Sequence, residues 1–524
     1  MDTKALRQKV LDLAIRGKLV PQDPNDEPAS VLLERIRQQK QQMVKDGKLK
    51  AKDIKNDTII FVGEDNLHYE KFADGSVKCI EDEIPFELPD GWAWTRVNQI
   101  YNFIDYRGAT PNKITSGVPL ITAKNVKSGY IDYTIDEYIS EEEYWDRQQR
   151  GTSRLGDILF TTEAPLGNAA IADVEKFSAG QRLITFQHYG DCALNNHTFL
   201  YFILSDSFQG QLHTRKTGST VAGIKAAVLK TLLLPVPPIA EQAIIGEKCK
   251  SLLALIEEIT NSKQDIISVI SKTKSKILDL AIRGQLVPQD PADEPASVLL
   301  ERIRAEKEEH IKQGKIKRDK KESVIFRGED NSYYEKIGGK VENISDEIPF
   351  ELPEGWAWCR GYSCFVGMES TKPQGDFFNY IDIDAIDNRL HRIKEAKHLP
   401  VSDAPSRASR AVKAGSVLFS LVRPYLENIA LVEEKHSNCI ASTGFYVCNS
   451  NGVLLPEFMF FLMISGYVAN GLNQYMNGDN SPSIRKDNIE NWLYPVPPLE
   501  EQQAICAKLQ SAFSLIENVE KSLS

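Results

Sequence analysis

Ile245, Cys249, Leu252, Ile256, Ile259, Lys263, Ile266, Ile270, Thr273, Ile277 and Leu280 follow an unbroken 4-3-4-3 spacing, and nine of these eleven positions are apolar. That period predicts one long helix from Glu241 to Gly284 whose seam wants a partner helix, as in a coiled coil. Gly284 and then Pro288 supply its stop. At about 1.5 Å per residue the helix would be about 65 Å long. The seam returns near the end of the chain as Ile505, Leu509, Ala512, Ile516, Val519 and Leu523. Near the start, Thr3, Leu6, Val10 and Leu13 match Ile270, Thr273, Ile277 and Leu280. Placed end to end, the two terminal segments rebuild the central helix, lacking only counterparts of Asp265, Ile266 and Ile267. The expectation is that they meet and lie antiparallel to the central helix as a rigid spacer. Two amphipathic helices that merely pack locally would give the same periodicity.

The seam belongs to a larger repetition. "VLDLAIRGKLVPQDPNDEPASVLLERIR" (Val10 to Arg37) returns as "ILDLAIRGQLVPQDPADEPASVLLERIR" (Ile277 to Arg304) with three changes. "EIPFELPDGWAWTR" (Glu83 to Arg96) returns from Glu347 at an offset of 264, and "PVPPIAEQ" (Pro235 to Gln242) returns from Pro495 at 260. Between the Trp block and the Pro block the two halves differ strongly. The layout is two near-identical frames, each holding a different insert. Two copies at so long a period do not make a solenoid; they make a tandem duplication with pseudo-twofold symmetry.

Composition narrows the class only a little. A chain of 524 residues exceeds one core and fits about two to four domains. The start, "MDTKALRQKV", has no apolar core of a signal peptide. "FMFFLMI" is far short of a membrane span. Eight scattered cysteines without CxxC spacing fit free thiols in a reducing cytoplasm. The net charge of −10 argues mildly against coating DNA by bulk electrostatics.

At the level of motifs, the chain resembles the specificity (S) subunit of type I restriction–modification systems over essentially its whole length. The most specific parts are "PVPPxxEQ" opening a long helix, the "LPxGWxW" entry and the duplicated "LDLAIRGxLVPQ" block. Within the inserts, "GATPNKITSGVPLITAKNVKSGYI", "LGDILFTTEAPLGNAAIA", "AGSVLFSLVRPYLENIALV" and "NGDNSPSIRKDNI" resemble target recognition domains. The resemblance implies a non-catalytic reader of double-stranded DNA, each insert recognising one half of a bipartite site and the helices setting the gap. It further implies two methyltransferase (M) subunits docked on the frame and restriction (R) subunits joining them. No cofactor would be bound by this chain, and S-adenosylmethionine and ATP/Mg would belong to the partners. The implied fold class is α/β (mixed α+β), two globular domains joined by a long antiparallel helical spacer. The expected divisions are an N-terminal helical region (1–40), a first target recognition domain (83–234), a central helical spacer (235–310), a second recognition domain (347–494) and a C-terminal helix (495–524).

Read without the resemblance, the residues agree. There is no GxxxxGK[ST], no GxGxxG and no Asp/Asn-Pro-Pro-aromatic signature, and the histidines form no HxxxH or HExxH pair. Aligned without gaps, "TGSTVAGIKAAVLK" and "NGDNSPSIRKDNIE" pair Gly218 with Gly478, Ile224 with Ile484 and Lys225 with Arg485. A Gly-opened loop rich in hydroxyls and amides and followed by a fixed cation suits phosphate contact with adaptable base reading. The candidates are Arg215, Lys216, Thr217, Ser219, Thr220 and Lys225 in the first insert, and Asn480, Ser481, Arg485 and Lys486 in the second. Further candidates are Lys124, Asn125 and Lys127 in "TAKNVKSG", and Arg407, Arg410 and Arg423 around "GSVLF", since Arg to guanine and Asn to adenine are common specific contacts. A loop charge is more often simply solvated. The pairs Trp92/Trp94 and Trp356/Trp358 read as buried strand anchors rather than stacking platforms; the lysines from Lys45 to Lys55 read first as solvated charge and second as contacts to flanking DNA. From Val97 to Leu232 there are 13 Lys/Arg against 14 Asp/Glu, and from Gly361 to Trp492 12 against 14, so neither insert is basic overall. Two other functions remain open: an enzyme carrying its own methyltransferase or nuclease, and a scaffold that never touches DNA.

Overall fold

The computed structural model describes residues 2–106, 110–190, 194–218, 222–315 and 322–523. Two compact units share the chain, Met1–Lys263 and Gln264–Ser524. The helix Ile239–Ile282 contributes its first part to the first unit and the rest to the second. Both units are mixed α/β and are built from the same sequence of parts.

In the first unit the helix Thr3–Ile15 is capped by the Asp2 carboxylate, which accepts from the backbone N–H of Lys4 and Ala5 at 3.0 Å each. It runs antiparallel to the first part of the long helix. Asp2 at its start feels the charge of Lys263, and Gln22, beyond its end, donates to Glu241 at 3.2 Å. Val10, Leu11, Ala14 and Ile15 share one core with Ile245, Cys249, Leu253 and Ile256. In the second unit the rest of the long helix pairs in the same sense with the helix Leu499–Leu523. There Lys274 meets Glu520 at 2.9 Å and Gln289 donates to Glu501 at 3.0 Å.

The apolar seam is not buried as evenly as its spacing predicts. Leu253 takes the buried place expected of Leu252, and Leu278 that expected of Ile277, while Thr273 is exposed. Ile266, Ile267 and Val269 are 42, 47 and 60% exposed. A helix of 3.6 residues per turn drifts about 20° per heptad against a strict seven-residue repeat, which moves the buried stripe by a residue.

After the second helix (Ala29–Lys45, Ala296–Lys312) each unit carries a three-stranded antiparallel sheet, Ile59–Val62, His68–Lys71 and Val77–Cys79, or Ser323–Arg327, Tyr333–Ile337 and Lys340–Asn343. The Trp block and the Pro block then pair as antiparallel strands. Trp94 sits opposite Pro235 and Trp358 opposite Pro495, so each insert leaves and returns at one place. The first insert holds a four-stranded sheet ordered Tyr101–Asp105, Leu183–His188, Ile158–Thr161, Ala169–Ile171, and a smaller mixed sheet around Val118–Ile121. The second holds Val417–Ser420 between Ile429–Leu431 and Phe445–Cys448, and a four-stranded sheet around Phe377–Ile381. Two short helices close each insert, Asn196–Ile203 and Asp206–Arg215 or Pro456–Met463 and Gly466–Leu472. No helix of the described residues is long and apolar enough to cross a membrane.

Candidate nucleic-acid interface

The three repeated blocks meet at one buried carboxylate in each unit. Glu241 accepts from the indole Nε1 of Trp92 at 2.8 Å and from Gln22. Glu501 does the same with Trp356 at 2.8 Å and with Gln289. Both glutamates are almost fully buried, and burial raises their pKa although the indole and amide donors oppose it. The neighbouring Gln242 donates to the Pro237 carbonyl and accepts from the Asn195 N–H; Gln502 repeats this with Pro497 and Leu455. The "EQ" of the Pro block thus clamps the start of the helix to the entrance and the closing helices of the insert.

From this frame the second insert extends two neighbouring loops. The strand Val417–Ser420 ends in a tight turn at Arg423, whose backbone is left-handed (φ 48°). Loop 477–483 lies against that turn. Arg423 N–H donates to the Pro482 carbonyl at 2.7 Å, and its Nη2 donates to the Asn480 carbonyl at 3.1 Å and to Ser481 Oγ at 3.4 Å. Asn477 and Ser483 pair across the loop base, and Gly478, at φ 105°, takes a conformation that a side chain would resist. Arg423, Asn480 and Ser481 therefore come together on one exposed surface, with Arg485 and Lys486 following, also exposed. Lys486 also lies 3.8 Å from Glu490.

The first insert pairs the base of the corresponding segment at the same place. Thr217 pairs with Gly223, and Gly223 with Glu163 beyond the strand Ile158–Thr161. Gly218 is again left-handed (φ 94°). Lys216, Thr217 and Lys225 are exposed; Ser219 and Thr220 lie outside the described residues. Arg215 is half-buried and turns away from the loop toward Glu83, at 3.6 Å. It lines an open cleft of about 1220 Å³ together with Lys55, Arg96, Lys230 and the carboxylates of Glu70 and Glu83. At the offset of 260, Arg215 and Lys230 become Tyr475 and Glu490, whereas Arg96 is kept as Arg360, so these two cations belong to one half.

Other candidates fare differently. Asn125 is 3% exposed, and its amide is consumed inside its own turn. Its Oδ1 accepts from Thr122 N–H and Oγ1, and its Nδ2 donates to the carbonyls of Asp132 and Ile135. The expectation that Asn125 offers its amide to a base is corrected: it organises the turn. Lys127 is drawn back to the Lys124 carbonyl at 2.6 Å, and only Lys124 of the three is exposed. Arg407 is exposed, while Arg410 is half-buried in a strand. Neither Arg407 nor Arg410 has a hydrogen bond to loop 477–483 among the described residues. Sequence reasoning passed over Tyr425 and Leu426 at the tip of the Arg423 turn, 47 and 39% exposed. Aligning "LFTTEAPLGN" with "LFSLVRPYLEN" would have marked them, since the second turn is one residue longer there. Lys230 and Arg182, which faces Glu163 at 3.0 Å, were also passed over.

Comparison with known proteins places these features. The family model described as the type I restriction modification DNA specificity domain matches residues 89–268 and 408–524. The specificity subunit of the type I restriction enzyme EcoAI of Escherichia coli is 28% identical, covering 97% of this chain and 88% of that one. The EcoEI specificity subunit, also of Escherichia coli, is 27% identical over 99% of this chain and 90% of that one. A crystal structure of the HsdS subunit from Thermoanaerobacter tengcongensis matches 33% of this chain and 46% of that one, at 37% identity and a TM-score of 0.32. With more than half of its residues matched by that family model, the chain belongs to the type I restriction–modification DNA specificity family.

Proposed function

We propose that each unit of this specificity subunit reads one half of a bipartite double-stranded DNA site, and that the long helix with its two antiparallel partners acts as the ruler between the halves. The chain itself does no chemistry in this reading. Two methyltransferase subunits supply adenine methylation with S-adenosylmethionine, and restriction subunits with ATP and Mg²⁺ supply cleavage, all in the cytoplasm. The observation that carries the reading is the frame: the Gln22–Glu241–Trp92 junction recurs as Gln289–Glu501–Trp356, while the inserts it holds differ. Equal frames suit two equal partners, and unequal inserts suit two unlike half-sites.

The DNA-facing residues are proposed to be Arg423, Asn480, Ser481, Arg485 and Lys486 in the second unit, and Lys216, Thr217, Ser219, Thr220 and Lys225 in the first. Arg215 and Lys124 are proposed as phosphate contacts. Phosphate contacts fix register, and base contacts specify. Half-sites about one helical turn apart, roughly 34 Å, would let both inserts grip one face of the duplex. The test is to co-express the chain with its methyltransferase subunit and map methylated adenines across the host genome. A motif of two specified parts separated by unspecified base pairs is expected. A continuous motif, or methylation by the chain alone, contradicts the reading.

A further inference from the structure

The turn from Arg423 to Glu427 is held in a shape that its residues do not favour. Arg423 (φ 48°) and Glu427 (φ 51°) are both left-handed without being glycine, and so is His391 (φ 48°) in the adjoining hairpin Ile386–Asp387/Arg392–Ile393. Such conformations persist where the surroundings over-determine them, and they gather at binding sites. The surroundings here are explicit. Asn388 Nδ2 donates to the Leu426 carbonyl at 2.8 Å, Leu426 N–H to the Arg423 carbonyl at 2.9 Å, and Arg423 is tied to loop 477–483 as described above. This scaffold presents two apolar side chains to solvent, Tyr425 and Leu426, 47 and 39% exposed. Leaving apolar surface in water on a rigid, strained tip is unfavourable unless something covers it.

The first unit makes a left-handed turn at the same place, with Ala164 at φ 46° and Gly167 at φ 90°, but without the apolar tip. Its turn is one residue shorter and reads Ala164-Pro165-Leu166-Gly167; Leu166 packs against the core, and Gln209 Nε2 donates to the Gly167 carbonyl at 2.9 Å. The apolar tip is thus a property of one half. The Arg423 guanidinium at its base is bonded to Asn480 and Ser481, and this polar set, with Arg485 and Lys486 exposed just beyond that loop, suits a polyanion with readable base edges.

We propose that Tyr425 and Leu426 make an apolar contact with the methyl group of a thymine in the major groove, fixing one base pair of the second half-site beside the position approached by Arg423. The thymine methyl is the one apolar feature on the major-groove edge, and a preorganised tip meets it without ordering cost. This rests on the reading that the second unit recognises DNA.

The experiment uses the full chain with its methyltransferase subunit and maps methylated motifs for Tyr425→Ala/Leu426→Ala and for Tyr425→Phe. The double variant is expected to accept other bases at one T·A pair of the second half-site, with discrimination there falling about tenfold. The first half-site stays unchanged, and Tyr425→Phe, which keeps the apolar ring, retains the original motif. An unchanged second half-site in the double variant overturns the proposal, as does relaxation of the first half-site. If the double variant methylates nothing, competition binding with duplexes altered one second-half position at a time decides: one position losing its preference supports the proposal, and every position keeping it overturns it. Failure of the underlying reading looks different, because the unaltered chain would then specify no two-part motif.

Discussion

Asp157 is a carboxylate held where a charge is costly. It immediately precedes the strand Ile158–Thr161, accepting from the Arg154 N–H at 2.8 Å and from Gln187 Nε2 at 2.9 Å, and burial pushes its pKa up to about 6 despite both donors. The folded state therefore holds its proton more tightly than the unfolded chain does. Its stabilising contribution is complete below the ordinary aspartate range and is lost as the pH rises through about 6. Asp157→Asn keeps an acceptor oxygen and removes the titration. Relative to that variant, wild-type stability of the first unit should fall by up to about 3 kcal/mol between about pH 4 and 7. Urea unfolding at both pH values checks this; an unchanged gap contradicts it. Residues of this kind were invisible in the sequence, because nothing local distinguishes Asp157 from any other loop aspartate. Asn125 misled for the converse reason: a turn asparagine looks available until its amide is seen bonded within the turn. The tryptophans were legible as buried anchors, yet their partner was not. Glu241 could be read as a carboxylate at a helix start, but its bonds to Trp92 and Gln22 join stretches 149 and 219 positions away.

Among the elements, the end of the long helix shows why the blocks recur together. Gly284 stops the helix in a left-handed conformation (φ +66°), and a Cβ there would run into Pro353 and crowd the Trp356 ring. Gly17 stands in the same relation to Pro89 and Trp92. The "AIRG" of one block and the "LPxGW" of another are two sides of one contact. Gly284→Ala combines strained backbone with overpacking and should destabilise the second unit by about 2 kcal/mol or more; a thermal melt within a degree of wild type would contradict this. The helix itself was legible from its period and its Gly-Pro stop. The placement of its buried stripe was not, since a 4-3 spacing cannot show the drift that brings Leu253 and Leu278 inward. The three-stranded sheets after the second helices were not foreseen either, because strands such as His68–Lys71 and Lys340–Asn343 are short and largely polar.

For the whole molecule, the duplication made the plan readable while the insert topology stayed hidden. Offsets of 267, 264 and 260 between repeated blocks expose two frames. Strands of two to six residues within the inserts give too few alternations to order a sheet. If the helices measure the gap, inserting four residues beside Lys263 adds about 6 Å of helix. The tolerated gap should then lengthen by a base pair or so, with both half-sites unchanged; altered half-sites would contradict the ruler.

Division of labour between the inserts is the central claim, and exchanging one of them tests it most directly. Residues 361–492 would be replaced by the corresponding insert of another specificity subunit, and methylated adenines mapped in cells that also make the methyltransferase subunit. The second part of the motif should change to the donor's, while the first part and the gap remain. A motif altered in both parts, or left as it was, would contradict the account.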